Sequence, residues 1–292
     1  MPLTEFKVLV SALSPEKDTI RLMGGEPTLH SRYTEIIRML KSQNYEVVVF
    51  TNGLRKVLRT TSPCLPDRIL VNVNDWELYS SAQKAAVREN LSFFGVRAGL
   101  GYTILESQFD LSVHRALILE NHLQPVIRLG LAQPIIGGDN AYLPDSTLPE
   151  VHKQVVNWAE TLANDGIRLS FDCGFMRRYF NDEDIEKLVR AHTMLRFDCT
   201  PSIDIAPGLR VMRCFAFSEF ANPGWSDFDN FQHLNDWFLR QDMFLRQSLQ
   251  EGDQPLIAQT RGECLARQWH RAERAGAFTE LNLQNNANME SI

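Results

Sequence analysis

Ile20-Arg21-Leu22-Met23-Gly24-Gly25-Glu26-Pro27-Thr28-Leu29-His30 is the stretch that decides the fold. A short apolar run ends in two glycines, a carboxylate and a proline, and a helical pattern follows immediately. Tyr33, Ile36, Ile37 and Leu40 fall at i, i+3, i+4 and i+7, one face of an amphipathic helix. Such a run ends a buried strand at a turn where the backbone itself approaches something closely. Adjacent glycines put no Cβ in the way, and the proline fixes the exit of the turn. An ammonium group there would meet main-chain carbonyls and the Glu26 side chain. Equally, the turn reads as a tight strand-to-helix connection with Glu26 set near a helix N-terminus.

Working outward, short apolar or β-branched runs alternate with helical patterns. Strands are predicted at Thr19–Met23, Val47–Thr51, Ile69–Val73, Leu100–Leu105, Val126–Leu131 and Ile167–Phe171. Helical patterns cover Ser81–Phe94 and Leu111–Leu123. Val151, Val155, Trp158, Ala159 and Leu162 make a further helical face, with Gly166 placed to end it. Strand, helix, strand repeated in this way means parallel strands with right-handed crossovers. A doubly wound sheet and a complete or partial (β/α) barrel both fit, and in both the ligand sits at the carboxyl ends of the strands. Gly24–Pro27 and Thr51–Gly53 fall there, as do Asn72 and Asn74.

The chain opens on a helical pattern (Phe6, Leu9, Val10, Leu13), so the domain is expected to begin one strand late. Beyond Phe171 cysteines and aromatics become frequent. One more helical face (Ile185, Leu188, Val189, His192) breaks the rhythm, and Phe228–Leu249 reads as a packed helix. The division expected is a barrel-like unit over 1–170, a cysteine-containing region over 171–275 and a disordered polar tail over 276–292.

The block from Asp18 to Leu54, with Gly-Gly-Glu-Pro after one strand and Thr51-Asn52-Gly53 after the next, resembles the radical SAM superfamily. That resemblance implies a partial (β/α) barrel of parallel strands, its first strand missing here. It also implies binding of S-adenosylmethionine (SAM) through Gly24, Gly25, Glu26, Pro27, Thr51 and Asn52. Polar residues of later strands would meet the cofactor's ribose and carboxylate: Asn72 and Arg128, with Asn74 and Thr103 as further candidates. In the family a three-cysteine segment holds a [4Fe–4S] cluster that cleaves SAM reductively to a 5′-deoxyadenosyl radical, which abstracts hydrogen from substrate. No such segment is in these 292 residues, whose first cysteine is Cys64.

Cys173, Cys199, Cys214 and Cys264 lie in the last third of the chain, and four thiolates are the number that an iron–sulfur cluster or a structural zinc takes. Their spacing is not a compact pair of CxxC motifs, and buried cysteines that simply pack are the plain alternative. Between Cys199 and Cys214 the sequence reads as a β-hairpin turning at Pro207-Gly208. This resembles the SPASM or twitch extension of radical SAM enzymes, which implies one auxiliary [4Fe–4S] cluster on the four cysteines, with zinc as the competing metal. Arg267 stands where a further cysteine of the full two-cluster set is expected. His30 is read as helping to begin a helix. The loop Gly137-Gly138-Asp139-Asn140 is either a pocket lining or a turn.

Composition narrows the field. The chain is 44% hydrophobic and 23% charged, with a net charge of −6 and no basic stripe, which argues against a nucleic-acid partner. No apolar run reaches the length of a membrane span and no secretory signal opens the chain. Five cysteines, an odd number at wide spacing, do not form a secreted disulfide pattern, so a cytoplasmic protein is expected. Three functional readings follow. The first is a radical SAM-type enzyme lacking its N-terminal segment here, acting on a peptide or small molecule with a flavodoxin or ferredoxin as electron donor. The second is a degenerate scaffold of the same fold acting as a binding or partner protein, inactive without the cluster segment. The third is an unrelated α/β enzyme with a coincidental Gly-Gly-Glu-Pro turn.

Overall fold

The computed structural model describes residues 1–14, 18–60, 64–74, 76–199, 202–220, 222–250 and 264–274. The expected tail over 276–292 lies outside them. In chain order the elements are α1 (Leu3–Ser11), β1 (Thr19–Leu22), α2 (Tyr33–Ser42), β2 (Glu46–Thr51), the single turn α3 (Val57–Thr60) and β3 (Arg68–Asn72). There follow α4 (Ser81–Phe94), β4 (Ala98–Ile104), α5 (Ser112–Asn121), β5 (Val126–Leu131), α6 (Leu148–Ala163), β6 (Arg168–Phe171) and α7 (Asp182–Arg190). A hairpin of β7 (Asp204–Ala206) and β8 (Arg210–Met212) leads to α8 (Phe231–Gln250) and α9 (Leu265–Arg274).

The first six strands form one sheet in the order β1-β2-β3-β4-β5-β6, every pair parallel. A doubly wound sheet needs a reversal of strand order, and none is present. Sequential order with right-handed crossovers keeps the connecting helices on one face, an arrangement compatible with a partial barrel.

The alternation of side chains shows the same asymmetry. Val47, Val49, Ile69, Val71, Leu100, Ile127, Leu129 and Leu169 are buried in one apolar cluster with Ile37 and Leu40 of α2, Leu91 of α4, Leu117 of α5 and Val155 of α6. The strand register lines these residues up on one face. The residues between them (Phe50, Leu70, Asn72, Thr103, Arg128, Ser170) point to the other face and stay half-buried or exposed. Glycines at 99 and 101 on β4 and at 130 on β5 put no side chain of their own on that face, and Leu70 and Asn72 of β3 lean over the first two. A side chain at 101 would stand 2.7 Å from Asn72 Oδ1.

The apolar cluster of the sheet runs on through Phe175, Met176, Phe180, Leu188 and Ala191. Phe171 stacks on Phe175 at 4.1 Å between ring centroids. After α7 the chain returns as a single parallel bridge, Met194 to Ser170, along the outer edge of β6. The expected face of α7 is corrected: Leu188 is buried, Val189 is 57% exposed, and His192 lies past the helix at φ 54°. That left-handed residue turns the chain back toward the Met194 bridge.

The hairpin turns at Pro207-Gly208, where Gly208 takes φ 78°. Beyond it the C-terminal region builds two small cores of its own. In one, Phe217, Leu245, Leu265 and Trp269 pack with Ile136. In the other, Val211, Trp225 and Leu234 enclose Leu9 of α1. The first helix is thus shared: Phe6 and Val10 join the sheet core while Leu9 joins the hairpin. Among the described residues no helix is long and apolar enough to cross a membrane.

Candidate functional site

The turn after β1 and the end of β2 are tied together by one carboxylate. Glu26 Oε1 accepts from the Thr28 backbone N–H (3.1 Å), the Thr28 hydroxyl (2.5 Å) and the Thr51 hydroxyl (2.8 Å). Its Oε2 accepts from the Asn52 N–H at 2.7 Å. Thr51 Oγ1 also accepts from the Gly53 N–H, and Asn52 Oδ1 accepts from the Leu54 N–H. Glu26 is therefore committed to bracing two loops, and what remains open to a ligand is the main chain before it. Gly24 takes φ 133°, and a Cβ added at Gly24 or Gly25 would meet no protein atom within 4 Å. Pro27 starts a single 3-10 turn over Pro27–Leu29.

The remaining candidate residues meet on the open face. Asn72 ends β3 and donates to Asn74 Oδ1 (3.0 Å), which in turn accepts from the Thr103 N–H (3.1 Å). Arg128 lies in the middle of β5. Its Nη2 donates to Asp172 Oδ2 at 2.5 Å, and its guanidinium carbon stands 5.1 Å from the centroid of Phe50 on β2. Strands β3 and β4 lie between Phe50 and Arg128, so the face is curled. The sequence marked Arg128 but gave no reason to single out Asp172 or Phe50.

Asp172 leads directly to the cysteines. Cys173 follows β6, Cys199 precedes the hairpin, Cys214 follows it, and Cys264 stands immediately before α9. All four are free thiols. Cys264 lies in a small apolar core against which Cys199 and Cys214 pack, and ionising any of these three would make ionisation of Cys173 harder, which places it near them. Burial, the largest cause in each case, pushes the Cys173 and Cys264 thiols up and the Cys214 thiol up to about 12. Buried thiols with raised pKa values are poor nucleophiles, which argues against thiol catalysis.

The sulfurs are nevertheless supplied with donors. The backbone N–H groups of Ala216, and of Ala266 and Arg267 in the first turn of α9, pull the Cys214 and Cys264 thiols down against burial. Arg213 Nη2 donates to Cys199 Sγ at 3.7 Å. Donors of this kind favour thiolate over thiol, against the larger effect of burial. Among the described residues no three His, Cys, Asp or Glu side chains stand close enough to hold a single metal ion. A tetrahedral zinc holds its sulfurs about 3.8 Å apart, as follows from bonds of about 2.3 Å; an iron–sulfur cluster is a larger body and spreads its thiolates wider.

The other residues singled out in the sequence are spent on structure. His30 Nδ1 accepts from the Arg32 N–H and its Nε2 meets the Met1 carbonyl at 2.9 Å, beside the start of α2. In the loop Gly137–Asn140, the Asn140 amide closes the turn on Ile135, Gln133 and Ala141. Arg267 is buried and donates to the carbonyls of Leu143 and Ala132 and to Asp145, anchoring α9 to the segment after β5. Cys64 packs against the sheet core, apart from the other four. A cleft of about 350 Å³ lies between Tyr142, Asp145 and the basic side of α9. A second, of about 480 Å³, lies between Thr28–Ser31 and Leu54–Val57. Neither is lined by the open face of the sheet.

Comparison of the chain with models of known protein families and with curated proteins finds no match.

Proposed function

We propose that this chain is the scaffold of a radical SAM-type enzyme with an auxiliary [4Fe–4S] cluster on Cys173, Cys199, Cys214 and Cys264. The observation that carries the reading is the convergence of these four thiols. They come from four separate segments, beside a parallel sheet whose first strand ends in Gly-Gly-Glu-Pro. Cys264 is buried in a small apolar core, half-buried Cys199 and Cys214 pack against it, and half-buried Cys173 lies nearby. The main chain at Gly24 and Gly25 would receive the cofactor's amino group, held in place by the Glu26 brace to Thr51 and Asn52. Asn72 and Arg128 would orient the rest of the cofactor on the open face, the interior of a partial barrel. When bound, SAM and its cluster supply reductive cleavage of a sulfonium bond and hydrogen abstraction from a peptide or small molecule. The cluster segment that chemistry requires is not among these 292 residues. The competing reading, a scaffold of the same fold that binds without cleaving, therefore rests on the same geometry.

The test is anaerobic purification followed by iron, sulfide and zinc analysis, calorimetric titration with SAM, and an assay of SAM cleavage with dithionite. About four irons and four sulfides per chain, with the absorbance of a four-thiolate cluster, are expected. Stoichiometric zinc or no metal would overturn the cluster assignment. SAM binding without cleavage would select the non-catalytic scaffold, and no binding would remove the family reading.

A further inference from the structure

The charge beside the four thiols does not balance. Arg213, between β8 and Cys214, is 3% exposed, and it donates to Asp242 Oδ1 of α8 through Nε at 2.9 Å and through Nη2 as well. Arg246, one turn along α8, donates to the other oxygen of the same carboxylate at 2.7 Å and to the Cys199 carbonyl at 3.3 Å. Two guanidinium groups thus share one carboxylate and leave one positive charge against Cys199. Arg213 Nη1 has no partner and no contact with solvent. Arg246 is 35% exposed and keeps water around part of its charge, but a buried guanidinium donor left over on Arg213 is costly unless an acceptor completes it.

Resting on the cluster reading above, we infer that Arg213, held by Asp242 and Arg246, is the charge-compensating residue of the auxiliary cluster and sets its reduction potential. Four thiolates around an iron–sulfur core give an anionic centre, and each electron accepted adds one more negative charge. A fixed positive charge hydrogen-bonded to one ligating sulfur favours the reduced state and raises the potential. Asp242 works in the opposite direction, by neutralising part of that charge while holding the guanidinium against Cys199.

The experiment is a dithionite titration of the cluster, followed by electron paramagnetic resonance, in the wild-type chain and in Arg213→Gln, Arg213→Lys and Asp242→Asn. Arg213→Gln should make reduction roughly tenfold less favourable, about 59 mV for one electron. Arg213→Lys should restore most of that shift, and Asp242→Asn should move the potential the other way. A folded Arg213→Gln chain that loses iron while Arg213→Lys keeps it also supports the inference. Equal loss of iron in both, or full iron with an unmoved potential in Gln and Asn variants, overturns it. A wild-type chain without iron instead removes the cluster reading on which it rests.

Discussion

The sheet half and the C-terminal extension are built on opposite terms. Around the sheet, apolar strand residues and helix faces complete one another in one large core, and the buried polar atoms left without a partner belong to neutral groups such as Tyr33, His114 and His152. The extension gathers four thiols, a half-buried carboxylate shared by two arginines and a buried arginine with an unpartnered nitrogen. Its two apolar cores are small beside that of the sheet. One half is held by a large apolar core, and the other, under the cluster reading, would be completed by a ligand.

The strongest way to break this contrast is Cys199→Ser. Iron content should fall to near zero, and backbone amides of β7, β8 and α8 should lose protection in hydrogen exchange, while those of β2 to β5 keep theirs. Uniform loss across both halves would show that the extension has no dependence of its own on metal. Next in size is Gly25→Val. The position has empty space around it, so the fold should hold its melting temperature while SAM binding is abolished. Gly53 is the internal contrast. At φ 73°, with a Cβ 2.8 Å from Val71, an alanine there should cost about 2–3 kcal/mol of stability by chemical denaturation. Unfolding by Gly25→Val would make the Gly-Gly-Glu-Pro turn a structural one.

Acid should pull the two halves apart. Burial holds His114 and His152, both in the sheet half, down at about 4, against 6.5 in the unfolded chain. Each is neutral in the fold, so its contribution is whole above pH 6.5 and is lost as pH falls through 4, by about 3 kcal/mol apiece. Asp204 in the hairpin has the opposite sign. Burial raises it from 3.8 to about 6, against the opposing pull of Arg21, so the stability of its neutral form is whole below 3.8 and lost as pH rises through 6. Between pH 6.5 and 4, exchange corrected for intrinsic rate should therefore quicken in the sheet core. In the hairpin it should quicken less or slow. A parallel response in both halves would contradict this division.

What could be read in advance follows the same line. All six strands, the helix Ser81–Phe94 and the Pro207-Gly208 hairpin are written in local periodicity and turn chemistry, which act over a few residues. Strand order is not local: the runs that predict strands are the same for a doubly wound sheet and for a sequential one. The brace at Glu26 joins residues 25 apart, and Arg213 meets Asp242 across 29. Only packing decides such pairs. Arg213 carried one legible hint, its place next to Cys214. Asp242 and Arg246 carried none, because charges on a helix at i, i+4 read as a solvated face.

The smallest effect sharpens the reading of the turn itself. Glu26→Gln keeps one accepting oxygen for Thr51 and Thr28 but can turn an amide N–H₂ toward the Asn52 N–H, so donor would face donor. The cost should be about 1–3 kcal/mol. Because both carboxylate oxygens already accept hydrogen bonds within the protein, SAM affinity should weaken only modestly, through loosening of the loop. Thr51→Val, which removes one of the same hydrogen bonds without touching the carboxylate, should weaken binding to a similar degree. If instead Glu26→Gln abolishes binding while Thr51→Val leaves it intact, the carboxylate itself meets the cofactor. The brace would then be the arrangement of the empty loop alone.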